Sequence, residues 1–237
     1  MSDFRSGRLF PASMAKVRLP LVLGGLALVV LLGFYAGKVG SQMQGKSAQV
    51  ASPEEIRRFF ARQGKTVLTF IGYSDNGYED PAALLERAGS ILKEFDPNKT
   101  IVNIGATPGG IGAVYPLAKR RGFMTTGIVS TQARKHQTEL SPDVDHVFYV
   151  EDETWGGFLE GTDQLSPTST AMVENSDVIV GIGGGEVGRD ELIAARRLGK
   201  EVRYFPADMN HQRAIGKAKE KDLPSPTDFS GEAGKSF

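Results

Sequence analysis

The sequence predicts an α/β protein: a Rossmann-like parallel sheet with helices on both faces, preceded by one transmembrane helix. Short runs rich in β-branched residues alternate with helical segments, several runs end in turns of small residues, and one long uncharged apolar stretch precedes them all. Strands buried on both faces are continuous apolar runs rather than alternating ones. The expected strands are 66–71, 101–104, 124–129, 146–150, 178–182 and 202–205.

The order of these patterns divides the chain of 237 residues into five segments. Residues 38–52 are small, polar and unpatterned, as is typical of a linker. The last segment is poor in large apolar residues, which predicts disorder. The segments are a basic N-terminal segment 1–19, a transmembrane anchor 20–37, a linker 38–52, an α/β domain 53–222 and a disordered tail 223–237.

The anchor is predicted from residues 20–37, which carry no charge. Eighteen helical residues reach about 27 Å, close to the thickness of the bilayer core. A cleaved signal peptide is the alternative, but Phe34-Tyr35-Ala36 puts an aromatic residue where a small one is needed. We therefore expect a single-pass membrane protein with the lipid bilayer as a partner. The flanking basic residues leave the side of the domain open.

Composition excludes several classes of site. Cysteine is absent, and the three histidines have no metal-ligand spacing, so neither a metal site nor a required cofactor is predicted. Net charge is zero, but residues 1–46 hold six basic residues and one acidic residue. The remainder is mildly acidic, which argues against a nucleic-acid partner.

The most informative stretch is the apolar strand 178–182, which runs into three consecutive glycines and then a helix. This arrangement directs backbone N–H groups and a helix N-terminus towards an anion. Strands 66–71 and 101–104 lead into turns of similar composition. Three such turns predict a phosphate-bearing ligand at the carboxyl ends of the sheet, although each alone could be a packing turn. The candidate ligand-binding residues are Gly72, Ser74, Thr107, Gly109, Gly110, Gly112, Gly183, Gly184, Gly185 and Glu186.

Two charged side chains beside the last turn are candidates for chemistry. Arg189 is the expected counter-charge for a phosphate, with a surface role as the alternative. Glu191 could stabilise positive charge that develops on a ribose, or it could simply favour the helix N-terminus. Trp155, the only tryptophan, could stack on a base or close one end of the core.

The three turns resemble those of the Lonely Guy phosphoribohydrolases and their relatives in the SLOG superfamily. IGATPGGIGAVYPLAKRRG is similar to the family's second glycine turn, and GGGEVGRDE lies where the family carries P-G-G-x-G-T-x-x-E. In that motif only Gly184, Gly185 and Glu191 match, and Gly183 replaces the proline. The resemblance covers about residues 65–210. It implies a nucleotide-type ligand, a homodimer, and a role for Glu191 at the ribosyl centre.

Two functions follow as hypotheses. The first is a membrane-anchored binding or sensing module for a nucleotide or phosphorylated nucleoside, which the anchor and the altered third motif favour. The alternative is a phosphoribohydrolase that cleaves the N-glycosidic bond of a nucleoside monophosphate. Whether the chain is an enzyme stays open. An NAD(P) oxidoreductase is less well supported, because no G-x-G-x-x-G follows the first strand.

Overall fold

The computed structural model describes residues 47–74 and 77–237. Their strands are β1 (Ser47–Val50), β2 (Thr66–Gly72), β3 (Thr100–Ile104), β4 (Met124–Ser130), β5 (His146–Val150), β6 (Val178–Ile182) and β7 (Glu201–Phe205). They form a seven-stranded sheet in the order β1-β5-β4-β3-β2-β6-β7, and every pair is parallel. The predicted fold class, an α/β protein with a parallel sheet, is therefore confirmed.

Helices cover both faces of this sheet, as predicted. They are α1 (Pro53–Gln63), α2 (Pro81–Leu92), α3 (Val114–Arg120), α4 (Gln132–Lys135), α5 (Pro167–Glu174), α6 (Glu186–Arg197), α7 (His211–Glu220) and the short α8 (Gly231–Gly234). A single 3₁₀ turn, Gly110–Ala113, leads into α3. Helices α1, α5 and α6 pack in series, and α2 packs against α3.

The central strand β2 shows how the sequence divides the core between the two faces. Leu68 and Phe70 lie in the cluster that α2 and α3 cover, whereas Val67 packs with α1 and α5, and Ile71 with Leu192 of α6. Successive side chains of a strand point to opposite faces, so a continuous apolar run supplies both layers. Burying each of these side chains contributes about 1.5–3 kcal/mol.

The predicted linker 38–52 differs from the structure at its end, because Ser47–Val50 is a strand. This strand, β1, pairs in parallel with β5, from Ser47 with His146 to Val50 with Tyr149. Three of its four residues are exposed, so it has no apolar pattern that a sequence could show. Backbone hydrogen bonds at the sheet edge define it instead.

The segment 223–237, expected to be disordered, is packed against the domain. The Ala233 N–H donates to the Gly184 carbonyl at 3.0 Å, and the Met209 N–H donates to the Phe229 carbonyl at 2.9 Å. Ala233 is fully buried, and the Phe237 ring lies 5.3 Å from the Tyr204 ring. Backbone contacts and small buried residues hold this segment, which is why its low apolar content was misleading.

The expected single-pass membrane localisation requires correction. No helix within the described residues, 47–74 and 77–237, is long and apolar enough to cross a bilayer. Residues 20–37, to which we assigned the anchor, lie outside the described residues, as does the basic segment 1–19.

Candidate functional site

A cavity of about 440 Å³ lies at the carboxyl ends of β2, β3 and β4, beside the start of α6. Its floor is apolar and includes Phe70, Ile104 and Met172. A topology of parallel strands places a crevice at this edge of the sheet, where ligands of α/β proteins bind. The polar side chains in its wall are Ser74, Thr107, Ser130, Thr138, Glu139, Thr168 and Glu191.

The cavity brings together only part of the predicted site. Four predicted residues line it: Gly72, Ser74, Thr107 and Glu191. The turn after β3, the turn after β6 and the first residues of α6 supply the others, which are not among its lining residues: Gly109, Gly110, Gly112, Gly183, Gly184, Gly185, Glu186 and Arg189. Glycines at two of the three turns therefore need another explanation.

The second turn packs against the first. The Ile111 N–H donates to the Tyr73 carbonyl at 2.7 Å. Gly110 has a φ of +56°, and a Cβ there would overlap the Tyr73 carbonyl. A Cβ at Gly112 would overlap the carbonyl of Thr107. These two glycines allow close approach of one backbone to another. In the same turn, Gly105 and Gly109 have space around their missing side chains.

The third turn is covered by the chain itself. A Cβ at Gly183 would lie 2.5 Å from the Tyr73 ring, and one at Gly184 would lie 3.3 Å from the Cβ of Ala233. The Tyr73 hydroxyl donates to the Ser230 carbonyl at 2.7 Å, and burial raises the pKa of this phenol to about 12. Residues of the C-terminal segment thus occupy the place expected for a ligand phosphate.

Arg189 faces this covered side. Its Nε donates to Asp190 Oδ1 at 2.9 Å, and its Nη1 lies 3.9 Å from Glu232 of α8. Asp190 also accepts from the Phe158 N–H at 2.8 Å. The guanidinium is engaged by two carboxylates, so its charge is largely offset within the protein.

Glu191 lies one residue further along α6 and faces the cavity. It is 5% exposed, and Oε1 accepts a hydrogen bond from Ser169 Oγ at 2.7 Å. Burial raises the pKa of Glu191 to about 7, and the nearby Asp190 charge acts in the same direction, whereas the Ser169 hydroxyl opposes them. A carboxyl with this pKa can exchange a proton near neutral pH, which is the property of a general acid or base.

A residue next to the cavity-lining Gly105 carries no sequence signal. Ala106 has a φ of +59° and follows Gly105 in the turn after β3. The Ala106 N–H donates to the Tyr115 hydroxyl at 3.1 Å, and the Ala106 carbonyl accepts from the Ser141 N–H at 2.9 Å. A Cβ at Gly127 would lie 2.7 Å from that of Ala106, so this neighbour must be small. Such a conformation costs of order 1–3 kcal/mol and is common at functional sites.

Thr168 and Ser169, at the start of α5, were also not among the site residues predicted from the sequence. Thr168 lines the cavity, and its N–H donates to Asp152 Oδ2 at 2.9 Å. Burial acts to raise the pKa of Asp152, but the N–H groups of Thr168 and Thr154 outweigh it and hold this pKa below its ordinary value. The Thr168 hydroxyl is buried and has no hydrogen-bond partner of good geometry among the described residues. A buried hydroxyl in a cavity wall is suited to bind a ligand oxygen.

Trp155 lies at the rim of the cavity and is 52% exposed. Its ring is 5.6 Å from that of His136 and inclined to it by 32°. Of the two roles considered for Trp155, the exposed position excludes closing the core. The ring remains accessible to a planar group.

Within residues 47–74 and 77–237, no group of three or more histidines and carboxylates is arranged to hold a metal ion. The polar atoms of the cavity are hydroxyl, carboxyl and backbone groups. They suit an organic ligand.

No protein family and no curated protein matches the sequence. Among solved structures, the molybdenum cofactor carrier protein of Chlamydomonas reinhardtii is 20% identical, covering 59% of this chain and 76% of its own, with a TM-score of 0.43. The molybdenum cofactor binding protein of Rippkaea orientalis is 18% identical, covering 67% and 85%, with a TM-score of 0.43. The protein TM1055 is 22% identical, covering 58% and 72%, with a TM-score of 0.41.

Identities below 25% and TM-scores below 0.5 define neither a ligand nor an activity for this chain. The likeness concerns the fold.

Proposed function

We propose that the domain binds a nucleotide or phosphorylated nucleoside in the cavity and acts as a binding or sensing module. The observation that carries this proposal is a cavity of about 440 Å³ at the carboxyl edge of a parallel sheet, with hydroxyls and one buried carboxyl in an apolar wall. Binding sites for small ligands have volumes of about 300–1,000 Å³ and this composition.

The phosphate end of such a ligand has donors near the start of α6. Val187 and Gly188 of its first turn line the cavity, as do the hydroxyls of Ser74 and Thr107. Helix N-termini and hydroxyls bind phosphate oxygens. None of the described lining residues is basic. A ligand with one phosphate therefore matches this wall better than a triphosphate, whose charge would lack cations.

The base would lie towards the rim. The Trp155 ring is exposed there, with His136 beside it, and stacking on an aromatic ring suits any planar base. Glu139 and Glu191 supply carboxyl oxygens that could accept hydrogen bonds from exocyclic amino groups.

Glu191 supports a second candidate function, a phosphoribohydrolase. Cleaving an N-glycosidic bond by water develops oxocarbenium character at the ribose, and an ionised carboxylate nearby stabilises it. Because burial raises the pKa of Glu191 to about 7, its two protonation states are both populated near neutrality. The same carboxyl could then take a proton from the attacking water.

The binding proposal is tested by calorimetric titration of the full-length chain with adenosine monophosphate and with the triphosphate. The blocking variant is Gly105→Leu, since Gly105 lines the cavity and a Cβ there meets open space. Gly216→Leu is the matched control, because Gly216 also has open space but lies on α7, away from the cavity. We expect binding that only Gly105→Leu abolishes. Unchanged affinity in that variant contradicts the proposed site.

Catalysis is tested separately by measuring release of free base from nucleoside monophosphates by chromatography. Glu191→Gln keeps the size of the side chain but removes its charge. Base release by the wild type that falls by orders of magnitude in Glu191→Gln establishes the hydrolase. Binding without release leaves the binding module as the function.

Mass spectrometry of co-purifying small molecules covers ligands outside the nucleotide class. Recovery of molybdenum cofactor, after which two of the similar solved proteins are named, would replace the nucleotide in this proposal. The homodimer implied by the family resemblance stays a prediction, and light scattering of the full-length chain tests it.

A further inference from the structure

The segment that carries Trp155 connects β5 to α5 and is tied to the helices by buried polar contacts. The Gly157 N–H donates to Ser169 Oγ of α5 at 2.7 Å. The Phe158 N–H donates to Asp190 Oδ2 of α6 at 2.8 Å. Side chains of two helices thus help to hold the cavity rim in position.

Ser169 stands between this rim and Glu191. Its hydroxyl accepts from the Gly157 N–H, so the one proton that it can donate goes to Glu191 Oε1, also at 2.7 Å. Ser169 is fully buried. Gly156 makes this approach feasible, because a Cβ there would lie 2.9 Å from Ser169 Oγ and 3.9 Å from Glu191 Oε1.

We propose that Ser169 is a positioning residue, which orients the Glu191 carboxyl in the cavity and couples its ionisation to the rim that carries Trp155. The link exists in the protein alone. Only its use, to signal what occupies the cavity, rests on the function proposed above.

The strength of the link depends on the charge of Glu191. An ionised carboxylate accepts a stronger hydrogen bond than a neutral one, so ionisation tightens the contact with Ser169 and, through it, with Gly157. Burial raises the pKa of Glu191 to about 7, which brings this change near neutral pH. The charged groups around Glu191 are Asp190 with its partner Arg189, Asp152, which accepts from the Thr168 N–H at the start of α5, and Glu139 in the cavity wall.

Trp155 is the only tryptophan, so the fluorescence of the full-length chain under selective excitation of tryptophan reports on the rim. The imidazole of His136 lies beside it, so every protein in the experiment carries His136→Asn. We expect a fluorescence transition between pH 5 and 9. Ser169→Ala removes a hydrogen bond to the ionised form and should move the midpoint up by about one pH unit.

Two further variants identify the titrating group. Glu191→Gln should remove the transition, and Ser169→Ala should then have no further effect in the Glu191→Gln background. Ser169→Thr keeps the hydroxyl and should restore the midpoint of the parent protein. These results would support the coupling whether or not a nucleotide binds.

Three outcomes overturn the proposal: a transition that persists in Glu191→Gln, a Ser169→Ala midpoint equal to that of the parent, or no transition in the parent. Circular dichroism shows whether Ser169→Ala is folded. If Ser169→Ala is not folded, two other results decide whether the coupling exists. They are the persistence or loss of the transition in Glu191→Gln and the midpoint of Ser169→Thr.

Discussion

The glycine turns after β3 and β6 have the same sequence character but different surroundings. The turn after β3 contributes Gly105 and Thr107 to the cavity, and its Gly110 packs on the first turn. The turn after β6 is occupied by Ala233 and Gly231 of the C-terminal segment. The first borders a space that a ligand can enter, and the second is filled by protein.

The comparison teaches that a glycine motif indicates close packing against the backbone, but not whether a ligand or another part of the protein packs there. A ligand phosphate and a returning stretch of backbone impose the same demand, which is the absence of a Cβ. The segment that fills the turn after β6 lies more than 40 residues further along the chain. Local sequence therefore cannot distinguish the two cases.

The sharpest test compares two glycines of the covered turn. Gly183 has a φ of +56°, and a Cβ there would lie 2.5 Å from the Tyr73 ring, whereas Gly185 has open space. We expect Gly183→Ala to lower the free energy of unfolding by roughly 3 kcal/mol and Gly185→Ala to change it by less than about 1 kcal/mol. Urea titration measures both. Equal effects would mean that the turn is not packed as described.

Glu191 tests the side that borders the cavity. Its pKa is raised from 4.5 to about 7, so its neutral form favours the folded state; this stabilisation is present below pH 4.5 and is lost as pH rises through 7. Glu191→Gln should therefore be more stable than the wild type at pH 8, by up to roughly 3 kcal/mol, and similar at pH 4.5. Urea titrations at the two pH values measure this. A wild type that is the more stable protein at pH 8 would contradict the burial of this carboxyl.

Displacing the C-terminal segment should expose the turn after β6, so that it borders open space as the turn after β3 does. Gly231 has a φ of +68°, and a Cβ there would overlap the Gly184 carbonyl. Gly231→Ala should release the segment and lower the free energy of unfolding by about 1–2 kcal/mol. Limited trypsin digestion at Lys235 should become faster in this variant. Gly234→Ala, in the same helix, is the comparison variant, because the nearest atom to its Cβ would be Ser230 Cβ at 2.8 Å, whereas a Cβ at Gly231 would lie closer still to the Gly184 carbonyl oxygen. Unchanged digestion would show that the segment is held by other contacts.

The smallest effect is expected for Arg189. It lies two residues before Glu191 on α6, but it pairs with Asp190 and faces Glu232 rather than the cavity. Arg189→Ala should change stability by less than about 1 kcal/mol and leave nucleotide affinity within about threefold of the wild type. Calorimetry decides, and a larger loss of affinity would restore Arg189 as the phosphate counter-charge.

Much of the fold followed from sequence because buried parallel strands are continuous apolar runs. The predicted strand 178–182 agrees with β6 to the residue, and 146–150 with β5. The strand β1 and the C-terminal segment did not follow, because backbone hydrogen bonds and small residues hold them. Tertiary contacts of this kind leave no periodicity in a sequence.

The candidate site was predictable only where a residue type is tied to a turn. Gly72 ends β2, Ser74 and Thr107 lie in turns after strands, and Glu191 follows a glycine motif, so position along the chain indicated them. Ser169 could not be found in this way. Its importance comes from packing of α5 against α6, which brings its hydroxyl to Glu191.

The pairing of β1 has a consequence for how the protein is made. β1 is the first strand of the described chain, yet its neighbour β5 follows about 100 residues later, as in the contact between Ser47 and His146. During synthesis on the ribosome, β1 therefore has no strand to pair with until the central strands and β5 have emerged. Closing so long a loop is slow. The sheet edge that β1 forms is completed only after β5 has been synthesised.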